Sequence, residues 1–482
     1  MKVKVLVLLL AALLLFTACA DGNNTVSNNS SEAPSAEDSS SVSETEPSET
    51  PDESENSKDT VSKEPENSFP EYEPNEPDVP DVPDESLDID NVTDDECRVT
   101  VKYASFSEKP NAVVIGQCDI GATVTLKCGN KTYTSESWYG WYSVRFLCTG
   151  NSAEVEITQT IDGKQVGSAL ETTVKPGRAG TAEGVVAGDN YQFFYQKCLR
   201  DFQHTNLYSQ GVLDNLKKRI EGRIANLEKT NTDTEIIYMV VPAAMTMYPE
   251  LVPEDYKQGE GESRLDQVLN TLSSAGATVI DLRTAFEEHK NDEYPLYFKC
   301  DSHWTDYGAF IAYQELFNYI AQEFPDAAPR GFDEFVWHGG YYKTGDMPVY
   351  LNMVTGSVYE NGYIGDKDVL EYGWYRTFAP GTPVSEKITE VPRYRADAQM
   401  VYSTNVTWGK TIRTKRDNLP SCMVLRDSFG TQMFDILAER MDKTIYKGMW
   451  DYTYYGAELV SQKPDYLIYI IAEWNLDSVV YN

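Results

Sequence analysis

Apolar and polar positions alternate in different ways along this chain of 482 residues, and each pattern predicts a different structure. Between residues 96 and 176 the apolar runs are short and have a period of two, as in Thr123–Lys127 and Ala153–Ile157. Between residues 181 and 482, longer apolar runs alternate with segments of helical period. Large apolar residues are scarce from residue 19 to 95, behind a short apolar segment within residues 1–18. The pattern therefore predicts two folded domains after a long polar region.

The period-two region, residues 96–176, is predicted to be a small all-β domain. Gly129-Asn130 and Asp162-Gly163 supply turns between its runs, and strands this short in about 80 residues are typical of an immunoglobulin-like sandwich. Gly121–Val124 and Trp141–Val144 resemble bacterial immunoglobulin-like repeats of surface proteins. The domain carries no obvious chemistry, so a spacer is the first interpretation and carbohydrate contact the second.

The region 181–482 is predicted to be an α/β domain with a mostly parallel sheet and helices on both faces, because strands and helices alternate. Its strands are nearly continuously apolar, as in Ile236–Val241, which is expected when both sheet faces are covered. The segment Gly331–Pro420 is rich in Tyr, Gly and Thr and is predicted to be an irregular insertion. The predicted helices are Asn206–Lys229, Glu262–Ser274, Asp306–Phe324 and Thr431–Met441, and the predicted strands are Glu235–Pro242, Ala277–Leu282, Ser421–Leu425, Thr444–Tyr446 and Asp465–Ile471.

The N-terminus has the features of a secretory signal. Two residues, Lys2 and Lys4, precede a short apolar core. The core ends in small residues before Cys19, which resembles a bacterial lipoprotein box. That resemblance implies cleavage before Cys19, lipidation of its thiol and anchoring outside the bacterial cell membrane. An ordinary signal with an incidental Cys is the alternative.

Residues 19–95 are predicted to form a disordered acidic stalk, because Ser, Glu, Asp and Pro cannot bury enough surface to offset chain entropy. This stalk carries most of the net charge of −35, so the acidity says little about a site. With no compensating basic patch, nucleic acid is not expected as a partner. In the β domain Cys97, Cys118, Cys128 and Cys148 could form two disulfides or remain buried thiols, and the sequence leaves both open.

Two distant segments carry candidate chemistry. Ser428 in Arg426–Gly430 lies three residues after a predicted strand and just before a helix, which exposes its hydroxyl and aims the backbone amides of Ser428 and Phe429 at an anion. Asp301-Ser302-His303 supplies an imidazole that can activate the serine and a carboxylate that can orient the imidazole. For each segment alone, a helix cap is a sufficient explanation.

Together, Asp301–Thr305 and Arg426–Gly430 resemble the DHHW family and the alginate O-acetyltransferase-like (AlgX/AlgJ-type) branch of the SGNH hydrolases. The resemblance covers roughly residue 184 to the C-terminus and implies that Ser428 is the nucleophile, His303 the base and Asp301 its orienter. Ser302 stands where the family name has His, and Arg426 replaces the usual Gly before Asp-Ser. Possible substrate-binding residues are Trp304, Arg426, Trp450 and Tyr452.

The predicted activity is that of a surface-anchored serine-dependent acyl, in particular acetyl, esterase or O-acetyltransferase acting on polysaccharide. No cofactor or metal is expected. One rival is a metal site at Cys300, Asp301 and His303, which adjacent residues rarely form. A second is a non-catalytic carbohydrate-binding or adhesin lipoprotein with a degenerate hydrolase fold. The acceptor, the polymer, the acyl group and the oligomeric state cannot be read from the sequence.

Overall fold

The computed structural model describes residues 96–108, 111–175, 184–254, 256–343, 347, 370–389 and 409–482. The predicted signal peptide, Cys19 and the acidic stalk lie outside these residues. Within the described ranges, no helix combines the length and the hydropathy that crossing a lipid bilayer requires.

The β domain contains strands β1 to β8, and the remaining strands and all helices belong to the large domain. The strands are β1 Tyr103–Glu108, β2 Asn111–Gln117, β3 Thr123–Cys128, β4 Lys131–Glu136, β5 Trp141–Leu147, β6 Ala153–Ile161, β7 Lys164–Gln165, β8 Leu170–Val174, β9 Val185–Ala187, β10 Phe193–Tyr195, β11 Glu235–Val241, β12 Thr278–Asp281, β13 Phe335–Lys343, β14 Leu370–Phe378, β15 Lys410–Arg413, β16 Ser421–Arg426, β17 Lys443–Tyr446 and β18 Tyr466–Ala472. The α-helices are α1 Leu199–Phe202, α2 Gln210–Lys229, α3 Ala244–Met247, α4 Arg264–Ser274, α5 Arg283–His289, α6 Asp306–Ile320, α7 Glu386–Thr389, α8 Phe434–Glu439, α9 Gly456–Gln462 and α10 Asp477–Val480.

A six-stranded sheet with the order β12-β11-β18-β16-β17-β15 forms the centre of the large domain. The pairs within β12-β11-β18-β16-β17 are parallel, and the edge strand β15 is antiparallel to β17. The carboxyl ends of β11, β16 and β18 therefore lie side by side at one edge of the sheet, where ligands bind in folds of this class.

Apolar residues cover both faces of this sheet. Along β11, Ile237, Met239 and Val241 belong to one core cluster together with the apolar face of α6. The alternate residues Ile236, Tyr238 and Val240 belong to a second cluster, which includes residues of α2 and α4. Because successive side chains of a strand point to opposite faces, the near-continuous apolar runs seen in the sequence are required by helices on both sides.

The β domain consists of two antiparallel sheets, one with the order β1-β2-β5 and one built from β4-β3-β6-β7 with β8 on β6. Val114 and Val144 of the first sheet pack with Val124 and Ile157 of the second in one apolar cluster. The two sheets thus enclose a core, as period-two patterning predicts. Its immunoglobulin-like connectivity stays a prediction.

The outer face of the first sheet packs directly on the large domain. Val113 and Ile115 of β2 alternate with the inward-facing Val114 and join a cluster that contains Phe193 of β10 and Cys300. The hydroxyl of Ser143 on β5 donates to Gly188 O at 3.1 Å and accepts from Tyr191 N at 2.8 Å. Both faces of this sheet are therefore buried, and the β domain is fixed to the large domain. A domain that served only as a spacer would not require this interface.

One feature differs from the sequence predictions, and for the cysteines the structure shows one of the two alternatives that the sequence leaves open. The predicted irregular insertion Gly331–Pro420 contains an antiparallel hairpin, β13–β14, in its described part. The register of the hairpin runs from Phe335↔Phe378 to Lys343↔Leu370, and Gly339 and Gly340 interrupt its apolar pattern. All seven described cysteines, including the four of the β domain, are thiols in this structure.

Candidate active site

Ser428 stands on a sharp turn at the carboxyl end of β16. The strand ends at Arg426, Asp427 has extended backbone geometry, and a 3-10 turn covers Ser428–Thr431 ahead of α8. Gly430 is necessary here, because a Cβ at this position would lie 2.6 Å from Cδ of Arg426, whose side chain folds beneath the turn. The turn leaves Ser428 partly exposed while Asp427 and Phe429 are fully buried.

A tight loop delivers Asp301 and His303 to the same edge of the sheet. Its two ends are joined, since Phe298 N donates to His303 O at 3.2 Å and Thr305 N donates to Leu296 O at 2.9 Å. Thr305 caps α6, with its hydroxyl accepting from the amides of Tyr307 and Gly308. The cap is thus neither Asp301 nor Ser302, so the capping role that could have explained these two residues belongs to Thr305.

The structure brings the three predicted residues into one hydrogen-bonded row. His303 Nε2 lies 2.6 Å from Ser428 Oγ, and His303 Nδ1 lies 2.7 Å from Asp301 Oδ1. An ionised carboxylate only accepts hydrogen bonds, so Nδ1 carries the proton and donates to Asp301, which leaves the Nε2 lone pair directed at the serine hydroxyl. The side chains of His303 and Asp301 are 15% and 6% exposed. This arrangement can abstract a proton from Ser428.

Trp304 joins the histidine loop to the serine turn. Its indole Nε1–H donates to the carbonyl oxygen of Phe429 at 3.0 Å. The Phe429 ring lies 5.4 Å from Trp304 and 5.0 Å from the imidazole of His303. The two motifs are therefore connected by a hydrogen bond and by ring packing in addition to the contact between His303 and Ser428.

Asp427 fixes the serine turn from below. Its Oδ1 accepts from Phe429 N at 3.0 Å, and its Oδ2 accepts from Ala472 N at 2.7 Å and from Asn475 Nδ2 at 2.9 Å. The predicted oxyanion role of the Phe429 amide is therefore not supported, because this N–H already donates to the Asp427 carboxylate. The Ser428 amide remains the candidate donor to the oxyanion, since the first N–H of a helical turn has no acceptor inside that turn.

Three of the four predicted substrate-binding side chains are buried. Trp304 and Arg426 are 0% exposed and Tyr452 is 5% exposed, which does not support direct contact with a substrate. Trp304 packs between Phe286 and Phe429, Arg426 lies over the ring of Phe434, and Tyr452 belongs to a core cluster.

Trp450 is the exception among these four, being 57% exposed. Its amide donates to Arg426 O at 2.9 Å, which holds it close to the carboxyl end of β16. Its backbone has a φ of 65°, in the left-handed region that bulky residues rarely adopt. Its role in substrate binding stays a prediction.

Two half-buried aromatic residues beside the site were not identified from the sequence. Trp474 lies 5.1 Å from Phe429, and Tyr195 lies 5.5 Å from Trp474. Trp474 follows β18, the strand adjacent to β16, so its position two residues beyond a parallel strand was an available signal. Tyr195 comes from β10, which no pattern in the sequence linked to the site.

In the described residues, no three His, Cys, Asp or Glu side chains are grouped to hold a metal ion.

Comparisons with known proteins agree with the motif assignment. Residues 185–362 match a family model described as "SGNH hydrolase-like domain, acetyltransferase AlgX". Two curated proteins, each named probable alginate O-acetylase AlgJ, are similar. The one from Pseudomonas syringae pv. tomato is 28% identical over 169 residues, which cover 35% of this chain and 41% of that protein. The one from Azotobacter vinelandii is 27% identical over 133 residues, covering 28% and 32%.

The chain thus spans about a third to two fifths of the length of the curated relatives that it matches. Among solved structures, a DHHW family protein from Eubacterium siraeum aligns with a TM-score of 0.40 and 15% identity, covering 68% of this chain and 95% of that one. The family-model match includes the loop with Asp301 and His303 and ends before Ser428. The resemblance predicted from the two motifs is confirmed: residues 185–362 resemble the SGNH hydrolase-like domain of the AlgX/AlgJ-type branch.

Proposed function

We propose that this protein is a serine-dependent O-acetyltransferase that acts on polysaccharide. The observation that carries the proposal is the 2.6 Å contact between His303 Nε2 and Ser428 Oγ, with Asp301 on the other ring nitrogen. The names of the relatives, acetyltransferase AlgX and alginate O-acetylase, support acetyl as the group and a polysaccharide as the substrate.

The reaction runs in two steps through an acyl-serine. His303 Nε2 takes the proton of Ser428 while Oγ attacks the acetyl carbonyl of an ester, and the leaving alcohol receives that proton as its bond to the carbonyl carbon breaks. The Ser428 amide is aimed to stabilise the oxyanion. A sugar hydroxyl then gives its proton to His303 and attacks the carbonyl carbon of the acyl-serine. His303 passes that proton to Ser428 Oγ as the bond between Oγ and the carbonyl carbon breaks, which regenerates the serine and releases the acetylated sugar. If water takes the place of the sugar, the same site is an esterase.

The test follows acetyl from an isotopically labelled donor ester to a soluble polysaccharide, with alginate as the first probe. We expect Ser428→Ala and His303→Ala to lower transfer roughly 10³-fold or more, and Asp301→Asn to lower it by a similar factor because the wrong tautomer is favoured. Ser273→Ala, an exposed serine on α4, is the matched control and is expected to behave as wild type. Equal labelling of the polysaccharide by wild type and Ser428→Ala would refute the proposal.

Two other results would change the assignment. Acetate release at the same rate with and without polysaccharide would identify an esterase. Polysaccharide binding that persists in Ser428→Ala and His303→Ala, with no acyl turnover by wild type, would favour a non-catalytic carbohydrate-binding protein.

We also propose a location for the protein, because its N-terminal residues resemble a bacterial lipoprotein signal. Cleavage before Cys19 and lipidation of its thiol would anchor the protein outside the cell membrane, with residues 20–95 as the stalk. Metabolic labelling with a fatty acid is expected to mark the wild-type chain and not Cys19→Ala. Labelling that is unchanged in Cys19→Ala would contradict the anchor.

A further inference from the structure

One turn of the β domain reaches the loop that carries Asp301 and His303. Trp138 and Trp141 exchange backbone hydrogen bonds of 2.7 and 3.0 Å across the turn between β4 and β5. Its two central residues, Tyr139 and Gly140, have φ values of 45° and 88°. These are features of a type I′ turn, in which Asn-Gly is the favoured pair. A tyrosine in the first central position is unfavourable for the backbone, and such strain accumulates at functional positions.

The turn contacts the site loop through a cation and an aromatic ring. The Lys299 ammonium lies 5.0 Å from the centre of the Trp138 ring. Lys299 precedes Asp301 by two residues, so their Cα atoms are within about 7.6 Å of each other. The carbonyl of Lys299 also accepts from Phe193 N at 2.8 Å, which fixes this end of the loop to β10.

A third ring approaches from the hairpin β13–β14. Trp374 lies 6.2 Å from Tyr139 at an interplanar angle of 75°, and Tyr139 lies 5.0 Å from Trp138. The hairpin is held beside the same loop, because Arg376 N donates to Asp306 Oδ2 at 3.0 Å at the start of α6. The rings of Trp138, Tyr139 and Trp374 are each half-buried. They come from both domains and flank the segment from Lys299 to Asp306.

We infer that Trp138, Tyr139 and Trp374, with Lys299, form a subsite that binds a polysaccharide chain beside the loop that carries Asp301 and His303. A sugar ring has an apolar C–H face and an edge of hydroxyl groups, so half-exposed aromatic rings beside an ammonium group match it better than an aliphatic surface does. The β domain is then part of the substrate site. This inference rests on the proposed function, because it identifies what holds the acceptor of the acetyl group.

Tyr139→Asn separates a binding role from a structural one. Asn is favoured at this turn position, so the variant removes the ring while keeping or improving the turn, and its Tm is expected to equal or exceed that of wild type. In a Ser428→Ala background, which prevents turnover, affinity for soluble alginate, xylan and peptidoglycan glycan strands is measured by calorimetry. We expect Tyr139→Asn to weaken binding of the preferred polymer about ten-fold, which is within the range for truncation of an energetically important interface residue.

One control and one further test variant accompany Tyr139→Asn. Tyr481→Asn removes a tyrosine that is 63% exposed near α10 and is expected to bind as wild type. Trp374→Leu removes the ring on the other domain and is expected to weaken binding to a similar extent. With Ser428 intact, hydrolysis of a small chromogenic acetyl ester is expected to be unchanged in Tyr139→Asn, because such an ester does not reach the subsite.

The outcomes distinguish the subsite from the proposed function. Unchanged affinity in both Tyr139→Asn and Trp374→Leu would overturn the subsite and leave the rings as a contact between domains. A wild type that turns over the small ester but whose Ser428→Ala form binds none of the three polymers would also overturn the subsite and leave the acyl chemistry intact. Absence of small-ester turnover and of Ser428 acylation would overturn the proposed function itself.

Discussion

Replacing Trp304 by Phe tests whether the link between the two motifs positions the reacting groups. The substitution removes the hydrogen bond from Nε1 to Phe429 O, which is 3.0 Å long in a fully buried environment. Leaving that carbonyl without its donor costs about 1–3 kcal/mol. The smaller ring leaves a cavity of roughly 40 Å³, which costs about 1 kcal/mol more at 24 cal/mol per Å³. The free energy of unfolding should therefore fall by about 2–4 kcal/mol.

Trp337→Phe is the matched control. Trp337 is packed among Phe332, Tyr294, Tyr307 and Phe310, but within the described residues its indole N–H has no hydrogen-bond partner. This substitution makes a cavity of similar size without losing a hydrogen bond, so it should cost about 1 kcal/mol. Urea unfolding of both variants gives the difference that belongs to the hydrogen bond.

Activity supplies the second part of this test. Because Trp304 is not exposed, Trp304→Phe should leave KM for a small acetyl ester unchanged and lower kcat by about 10² if the serine turn shifts relative to His303 by about 1 Å. Trp337→Phe should keep the wild-type kcat. If the two variants lose the same stability and the same activity, the hydrogen bond to Phe429 does not position Ser428.

Three further predictions concern buried carboxyl groups. Burial raises the pKa of Glu473 from 4.5 to about 7. Between pH 4.5 and pH 7 the folded state therefore keeps a proton that the unfolded state loses. The free energy of unfolding should fall by about 3 kcal/mol as the pH rises through this range. Glu473→Gln should abolish that fall in urea titrations at pH 5 and pH 8, and an equal fall in both proteins would contradict it. Glu439 is fully buried; burial opposes its ionisation, but hydrogen bonds from Arg330 and Arg440 hold its pKa below the ordinary value. Glu439→Gln should lower the free energy of unfolding by about 3–5 kcal/mol at neutral pH, as measured by urea unfolding. A loss below about 1 kcal/mol would contradict the stabilising role of the ion pairs that Glu439 makes with Arg330 and Arg440. Asp427→Asn must place an amide N–H₂ against at least one of the three groups that donate to Asp427, namely Phe429 N, Ala472 N and Asn475 Nδ2. It should therefore lower the free energy of unfolding by about 1.5–3 kcal/mol and slow the labelling of Ser428 by a serine-reactive probe. Unchanged labelling would show that Asp427 does not orient the turn.

Much of the large domain could be predicted from apolar periodicity. The predicted strand Glu235–Pro242 and the observed strand Glu235–Val241 differ by one residue, and the predicted helix Glu262–Ser274 begins two residues before the observed one. The difference arises from Ser263, which forms a capping box with Asp266 and so marks the true start of α4. Period and caps are local properties, so the sequence alone can indicate them.

The contacts between distant segments could not be predicted in the same way. A motif resemblance links Ser428 to His303, whereas residue type alone does not show that the side chains of Trp304, Arg426 and Tyr452 are buried. The amide of Phe429 was misassigned because Asp427 was not recognised as its acceptor. The packing of β2 on the large domain was missed since Val113 and Val114 are both apolar, and only the structure shows that each faces a different core.

The most direct measurement is the position of the acyl group during turnover. The protein is mixed with a chromogenic acetyl ester, quenched in acid within one turnover and digested, and each peptide is examined by mass spectrometry. We expect one acetyl group on the peptide containing Ser428 in wild type, and none there in Ser428→Ala or His303→Ala. Product release by wild type without acetyl on Ser428, or equal turnover by Ser428→Ala, would contradict the mechanism.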